Sequence, residues 1–409
     1  MKGLALSFLS LLLLYSLANA KINIVGNIGL STIDPSIHKV AEVSQLTHLN
    51  LNYLEVDSKY HLVQPFVQQK SLVENLNHIQ HLQEKNHNIK VYLTVGSDIS
   101  SFFPLLVDNP NHRVAFINSI KNILLLTKVN GININWQEID NQKDRINAVL
   151  LLKELHDALE DLGEQQHKEY EISYSVNLDS IKKYPNDWSK ILYYANYINL
   201  FITNNQFLHQ NTIAVNSLLS LDSSTDNSMQ QVFKLLQNNN IVNSKLVLFF
   251  KLEGIKYENV PNEILQFYSN PANILLPYDL AGYDVQRSLI PYTKIKDNYL
   301  YNDAYILLSN FNKVSLLESS TQHIIIAYLG ERFLSHFVPI LNDAGVYGIG
   351  INDLEATEEV HLITELSSLQ EGLIGGSIAQ EVQEKPAYES SLEKALHNFQ
   401  NKNANSKVQ

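Results

Sequence analysis

Val129-Asn130-Gly131-Ile132-Asn133-Ile134-Asn135-Trp136-Gln137-Glu138 alternates amides with large apolar side chains. The isoleucines suit a strand, and on a strand successive side chains point to opposite faces. Asn133, Asn135 and Gln137 therefore share one face, while Ile132, Ile134 and Trp136 share the other. Three amides in line on an otherwise apolar strand need a polar cavity, or one another, for their hydrogen bonds.

Outward from this run, short β-branched stretches recur at residues 22–25, 48–54, 90–95, 171–175, 197–203, 245–250 and 348–351. Helical patterns lie between them. Residues 113–126 place Val114, Ile117, Ile120 and Leu124 at helical spacing, and residues 143–159 do so with Ile146, Leu150, Leu151 and Leu155. Alternating strand and helix predicts parallel βα units. With residues 131–136 included, the eight strands predict an α/β fold, a (β/α)8 barrel over residues 21–370. An open doubly wound sheet lacks support, because no glycine-rich phosphate loop follows the first strand. In a barrel, the amide face of the fourth strand meets the axis and the carboxyl-terminal mouth. The seventh and eighth strands are far apart, and residues 252–323, rich in Tyr, Asn and Pro, predict an inserted small α+β subdomain. Residues 371–409 are polar and read as a partly disordered tail.

The first twenty residues have the form of a secretory signal. Lys2 supplies the positive start, residues 4–17 an apolar run, and Ala18-Asn19-Ala20 the small-x-small cleavage pattern. The expected product is secreted, extracellular or periplasmic, and begins at Lys21. The chain contains no cysteine, which excludes thiol catalysis and thiolate metal sites and fits export without disulfides. The formal charge of −12 argues against nucleic acid or an anionic membrane as partner. No cofactor or metal is expected. His78 and His81 have metal-compatible spacing but no evident third ligand, and a solvated helix face is the simpler reading.

The amide strand resembles the fourth strand of the family 18 glycoside hydrolases, the chitinases, which reads Asp-Gly-x-Asp-x-Asp-x-Glu. Here Asn130-Gly131-Ile132-Asn133-Ile134-Asn135-Trp136-Gln137 keeps the glycine and the spacing, and every acid is the corresponding amide. The flanks are similar as well. Lys90-Val91-Tyr92-Leu93-Thr94-Val95-Gly96-Ser97 resembles the family's third strand, Leu46-Thr47-His48-Leu49-Asn50-Leu51-Asn52-Tyr53 the second, and Ser244-Lys245-Leu246-Val247-Leu248 the seventh. Residues 341–351, with Gly345 and Gly348, resemble the run into the eighth.

The resemblance implies a mechanism and also its loss. In the family the motif Glu protonates the leaving oxygen, and the substrate's acetamide attacks the anomeric carbon, oriented by the Asp two residues earlier. Gln137 has no proton acidic enough to donate. Asn135 can hydrogen-bond an acetamide but brings no negative charge to a cationic transition state. The sixth-strand Tyr and Asp of the family align with Thr203 and Asn204, the eighth-strand Trp that floors the sugar aligns with Asn352, and a further aromatic aligns near Asp98. No catalytic constellation is intact at Asn130, Asn133, Asn135 and Gln137, so the expectation is a pseudoenzyme.

Asn133, Asn135 and Gln137 read first as a neutral polar core layer, because amides keep the shape of clustered carboxylates without their repulsion. The ligand-binding candidates are Asn133, Asn135, Gln137, Thr203, Asn204 and Asn352. Candidate partners are a chitooligosaccharide, another N-acetylated glycan, or a protein. The competing reading is a residual or altered glycosidase using Glu138, Glu253 or Asp279 as acid. Trp188 and the tyrosines at 184, 193, 194 and 197 read as core packing rather than a sugar platform.

Overall fold

The computed structural model describes residues 22–29, 45–63, 80–81, 83–96, 102–137, 139, 141–183, 188–202, 212–213, 229–250, 253–270, 273, 278–310, 314–328 and 331–352. The signal segment, Glu138, Thr203, Asn204 and the tail lie outside these residues.

Eight parallel strands close into a barrel: β1 (Asn23–Gly29), β2 (His48–Val56), β3 (Lys90–Val95), β4 (Gly131–Asn135), β5 (Glu171–Asn177), β6 (Tyr197–Ile202), β7 (Leu246–Phe250) and β8 (Gly348–Ile351). Closure is made by β1, which pairs with β2 on one side and β8 on the other. Parallel strands covered by helices are buried on both faces, so they read as near-continuous apolar runs. β4 and β8 are buried at every position.

The outer layer includes α1 (Phe103–Asp108), α2 (Pro110–Thr127), α3 (Gln142–Gln166), α4 (Leu178–Lys183), α5 (Ser189–Tyr194), α6 (Met229–Asn238) and α7 (Glu331–Asp343). Local chemistry sets their ends. Pro110 starts α2 where a missing N–H costs nothing, and the Asn109 side chain accepts from the Asn111 N–H. Asn141 caps α3 by accepting from the Asp144 N–H, and His167 ends it in the left-handed region. Trp136, on the outward face of β4's extension, stacks on Phe103 of α1 at 5.0 Å and 11°. Arg113 ties three helices: its guanidinium donates to both carboxylate oxygens of Glu154 in α3 and to the Val107 carbonyl of α1.

The rotation of α2 and α3 differs from the sequence expectation. Val114 is exposed, as are Ile146 and Leu150, while Ile117, Ile120, Leu124, Leu151 and Leu155 are buried. On α2 the inward side also takes Phe116, Ile123 and the paired Arg113. Its apolar residues spread over more than one stripe, so spacing alone does not select the face that meets the barrel.

Between β7 and β8 the chain builds an antiparallel sheet in the order Gln286–Pro291, Glu253–Glu258, Ile324–Tyr328, Val314–Ser319, Ile306–Asn310. This sheet takes a strand from beyond residue 323, because Ile324–Tyr328 sits at its centre. A helix, Asn262–Tyr268, covers one face with Ile264, Leu265 and Tyr268 against Ile255, Tyr257, Leu316 and Ile325. Trp188 and Tyr197 are buried and Tyr194 is partly buried, as the packing reading expected, but Tyr193 is exposed on α5, and Tyr184 lies outside the described residues.

Candidate functional site

The strand registers sort the inward side chains into layers, each supplied by alternate strands. At the floor, His48, Gly131, Tyr197 and Gly348 come from β2, β4, β6 and β8. The middle layer is Asn50, Asn133, Asn199 and Gly350. Barrel interiors usually fill this level with Val, Ile or Leu. Here three asparagines surround a glycine, and the Phe249 ring fills the space left by Gly350, where a Cβ would lie 2.4 Å from that ring.

The amides are consumed by one another and by hydroxyls. Asn133 Oδ1 accepts from Ser173 Oγ at 3.0 Å, Ser175 Oγ at 3.0 Å and Asn199 Nδ2 at 3.1 Å. Its Nδ2 donates to Thr94 Oγ1 at 3.3 Å. Asn135 Nδ2 donates to the Gly96 carbonyl at 3.3 Å, and Gln137 Nε2 donates to Asn135 Oδ1 at 3.1 Å. On the far wall, Asn50 Nδ2 donates to Asn27 Oδ1, and Asn27 Nδ2 donates to Asn352 Oδ1. The three motif amides on the inner face are at most 7% exposed.

Asn130 stands apart from the other motif positions. It lies at the start of β4, where its Oδ1 accepts from the Val91 N–H at 2.9 Å and from Gln83 Nε2 at 3.2 Å. The residue pins β4 to β3 and does not enter the cleft. Gly131 has a packing reason of its own. A Cβ there would lie 2.2 Å from the Glu171 carbonyl oxygen and 2.7 Å from the Tyr92 ring.

One carboxylate is buried at the floor of the barrel. Glu171 accepts from Tyr92 Oη and Lys90 Nζ. Near the carboxyl end of β2, Glu55 is exposed and alternates with Leu54 and Val56, which pack on the outer core. Of the two described substitute acids, Glu253 is buried at the start of the inserted sheet, and Asp279 is exposed, accepting from the Ala281 N–H.

His48 completes the floor between Tyr92, Tyr197 and Tyr347, with ring centroids 5.6–5.9 Å away. Thr47 Oγ1 donates to the Ile24 carbonyl, so the His48 Nδ1–H donates to Thr47 and Nε2 accepts from the Tyr347 hydroxyl. Burial pushes this imidazole down to about 4, with the Glu171 carboxylate pulling the other way and Lys90 adding to the fall. The unfolded chain takes up this proton near the ordinary histidine value, whereas the folded chain resists it. Stability is therefore complete above about pH 6.5 and falls by about 3 kcal/mol as the pH drops to about 4. Urea midpoints measured from pH 7 to pH 4 should decline more steeply for the native chain than for His48→Gln; equal slopes would refute this role.

Two positions missed in the sequence belong to the same interior: Asn50 and Asn199. Their signal was the alternation of polar and apolar residues in His48-Leu49-Asn50-Leu51-Asn52 and in Tyr197-Ile198-Asn199-Leu200-Phe201. Phe201 was also passed over as a functional candidate. It is the partly exposed member of an otherwise buried strand and stacks on Phe249 at 4.7 Å and 18°. Asn352, at the end of β8, is half-buried at the mouth.

The sequence model of the glycosyl hydrolases family 18 matches residues 25–355. Among curated relatives, Chitinase 2 of Yersinia entomophaga is 29% identical over 29% of this chain and 21% of its own length. A class V chitinase of Lotus japonicus is 30% identical over 18% of this chain and 20% of its own. The matched part is thus about a fifth of each of those proteins. The fold is shared with the family 18 N-acetylglucosaminidase of Paenibacillus barengoltzii, with a TM-score of 0.68 and 15% identity over 85% of this chain and 99% of that one. A class V chitinase from Nicotiana tobaccum, a Glu-to-Gln mutant in complex with NAG4, superposes with a TM-score of 0.68 at 16% identity, covering 86% of this chain and 99% of that one. With a closed eight-stranded barrel, the motif glycine and its spacing in place, and a family match over most of its length, the chain belongs to the glycosyl hydrolases family 18.

Proposed function

We propose that this chain is a secreted, non-hydrolysing family 18 protein that holds a neutral N-acetylated glycan at the mouth of its barrel. The observation that carries this reading is the state of the fourth strand. Asn133, Asn135 and Gln137 point inward, are paired in a neutral network, and stand where the family motif has acids. An amide at Gln137 cannot protonate a leaving oxygen, and that loss alone costs a factor of about 10²–10⁴ in rate. Asn135 leaves the developing positive charge on the sugar ring without a counter-charge.

Glycan binding is supported by what the mouth retains and by the relatives. Amides donate and accept, as hydroxyl and acetamide groups do. Two solved neighbours that are Glu-to-Gln mutants, from Nicotiana tobaccum and Cycas revoluta, are in complex with NAG4 and (GlcNAc)4. A glutamine in place of a glutamate is thus compatible with a held oligosaccharide in those proteins. The amino-terminal signal pattern supports secretion. A residual glycosidase would need an acid at the mouth, and neither the exposed Asp279 nor the buried Glu253 belongs to an inward barrel position.

The test is calorimetric titration of the mature chain, from Lys21, with chitooligosaccharides, alongside a sensitive hydrolysis assay on the same samples. Binding without cleavage is expected. Cleavage would overturn the non-hydrolysing reading. Absence of both would remove the glycan and leave a protein partner.

A further inference from the structure

We infer that Phe201 is the sugar platform of this barrel, so that the floor of the ligand site has moved from β8 to the β6–β7 wall. This rests on the glycan reading above and names the residue that would carry its affinity.

The inference starts from the layers. One step above the asparagine-lined level, the alternate strands contribute Asn52 from β2, Asn135 from β4, Phe201 from β6 and Asn352 at the end of β8. Of these, Phe201 alone is aromatic. It is partly exposed, whereas Tyr197, Ile198, Asn199, Leu200 and Ile202 on the same strand are buried. A phenyl ring left half-covered where the rest of its strand is buried points to the mouth.

The ring is also held still. Phe201 stacks on Phe249 at 4.7 Å and 18°, and Phe249 lies against Gly350, where no Cβ intervenes. The apolar cluster beneath them contains Val25, Tyr92, Tyr197 and Val247. Phe201 thus sits on a packed column rising from the floor. A rigid aromatic loses little conformational freedom on binding, which favours it as an anchor. The other named members of that layer are amides. Asn352 Oδ1 accepts from Asn27, and Asn135 Oδ1 accepts from Gln137.

An apolar ring ringed by neutral amides selects a ligand with one C–H face and a polar rim. A pyranose with equatorial substituents has that shape: its axial hydrogens form an apolar face and its hydroxyl and acetamide groups form the edge. Asn135 and Asn352 in this layer are neutral and suit the hydroxyl and acetamide edge of a sugar such as N-acetylglucosamine. Affinity for a neutral ligand is also insensitive to salt.

The experiment titrates chitotriose into the native chain, Phe201→Ala and Phe201→Trp, with thermal unfolding of all three as the check on folding. The native chain and Phe201→Trp should bind, and Phe201→Ala should bind at least about 10-fold more weakly. Doubling the salt should leave the native affinity unchanged. If the native chain binds and a folded Phe201→Ala chain binds as tightly, the platform is overturned and the glycan reading stands. If the native chain binds no oligosaccharide, the glycan reading falls and the platform falls with it. Should Phe201→Ala prove unfolded, Phe201→Trp decides: a folded chain that has lost binding, or an affinity that falls with salt, overturns the inference.

Discussion

Asn133→Leu should destabilise the fold by about 3–6 kcal/mol, although the side chains branch alike at Cγ. Asn133 Oδ1 accepts three hydrogen bonds, from Ser173, Ser175 and Asn199, and its Nδ2 satisfies Thr94. All five residues are buried. Leucine would leave those groups facing a methyl, and each buried donor without a partner costs about 1–3 kcal/mol. Some cost is recovered because the serine hydroxyls can rotate. For a domain of this size the change amounts to roughly 5–10 °C in Tm. Asn133→Asp should cost much less, because a carboxylate oxygen accepts the same donors and Thr94 can turn its hydroxyl to donate. Thermal unfolding of the pair is the measurement. An Asn133→Leu chain as stable as the native one would show that the layer is loosely packed and wet.

Gly131→Ala should abolish folding. The added Cβ would lie 2.2 Å from the Glu171 carbonyl oxygen and 2.7 and 2.8 Å from two Tyr92 ring carbons. Neither neighbour is free to retreat. The carbonyl belongs to β5, which pairs with β4, and the Tyr92 ring is fixed by its hydroxyl's bond to Glu171. Overpacking of a fixed core costs about 1–3 kcal/mol for a methylene, and a backbone clash exceeds that. Gly345→Ala is the contrast. Its φ of +67° strains an L residue, but nothing lies within 4 Å of its Cβ, so about 1 kcal/mol is expected. Soluble expression and circular dichroism distinguish the two, and a folded Gly131→Ala chain with native Tm would contradict the packing account.

The barrel was legible because its strands are buried on both faces. Runs such as Lys90-Val91-Tyr92-Leu93-Thr94-Val95 cannot be mistaken for an amphipathic surface, and β2, β3, β5 and β8 begin where the sequence places them. The inward parity of Asn133, Asn135 and Gln137 was equally legible, since a strand of period two leaves no other arrangement. Helix rotation was not. Val114, Ile146 and Leu150 face solvent, because the wall of the barrel and the Arg113–Glu154 pair decide which side turns inward.

The candidate site was read through its motif, and residues outside the motif stayed hidden. Asn130 opens the motif, and the structure makes it a strand pin. Asn50, Asn199 and Phe201 belong to other strands, and only the register between strands brings them level with Asn133 and Asn135. Pairing of that range is invisible to any local pattern.

The aromatic floor makes the barrel a blind well. His48, Tyr92 and Tyr197 are buried across its lower end, with Tyr347 bonded to His48 beneath them. Whatever enters must leave by the same door, so a long polymer cannot thread along the axis and can only dip a segment into the mouth. The residence time of a ligand held there would be governed by traffic at one opening. Any second molecule that settled over that opening would act as a stopper, slowing arrival and departure alike without touching a single amide within.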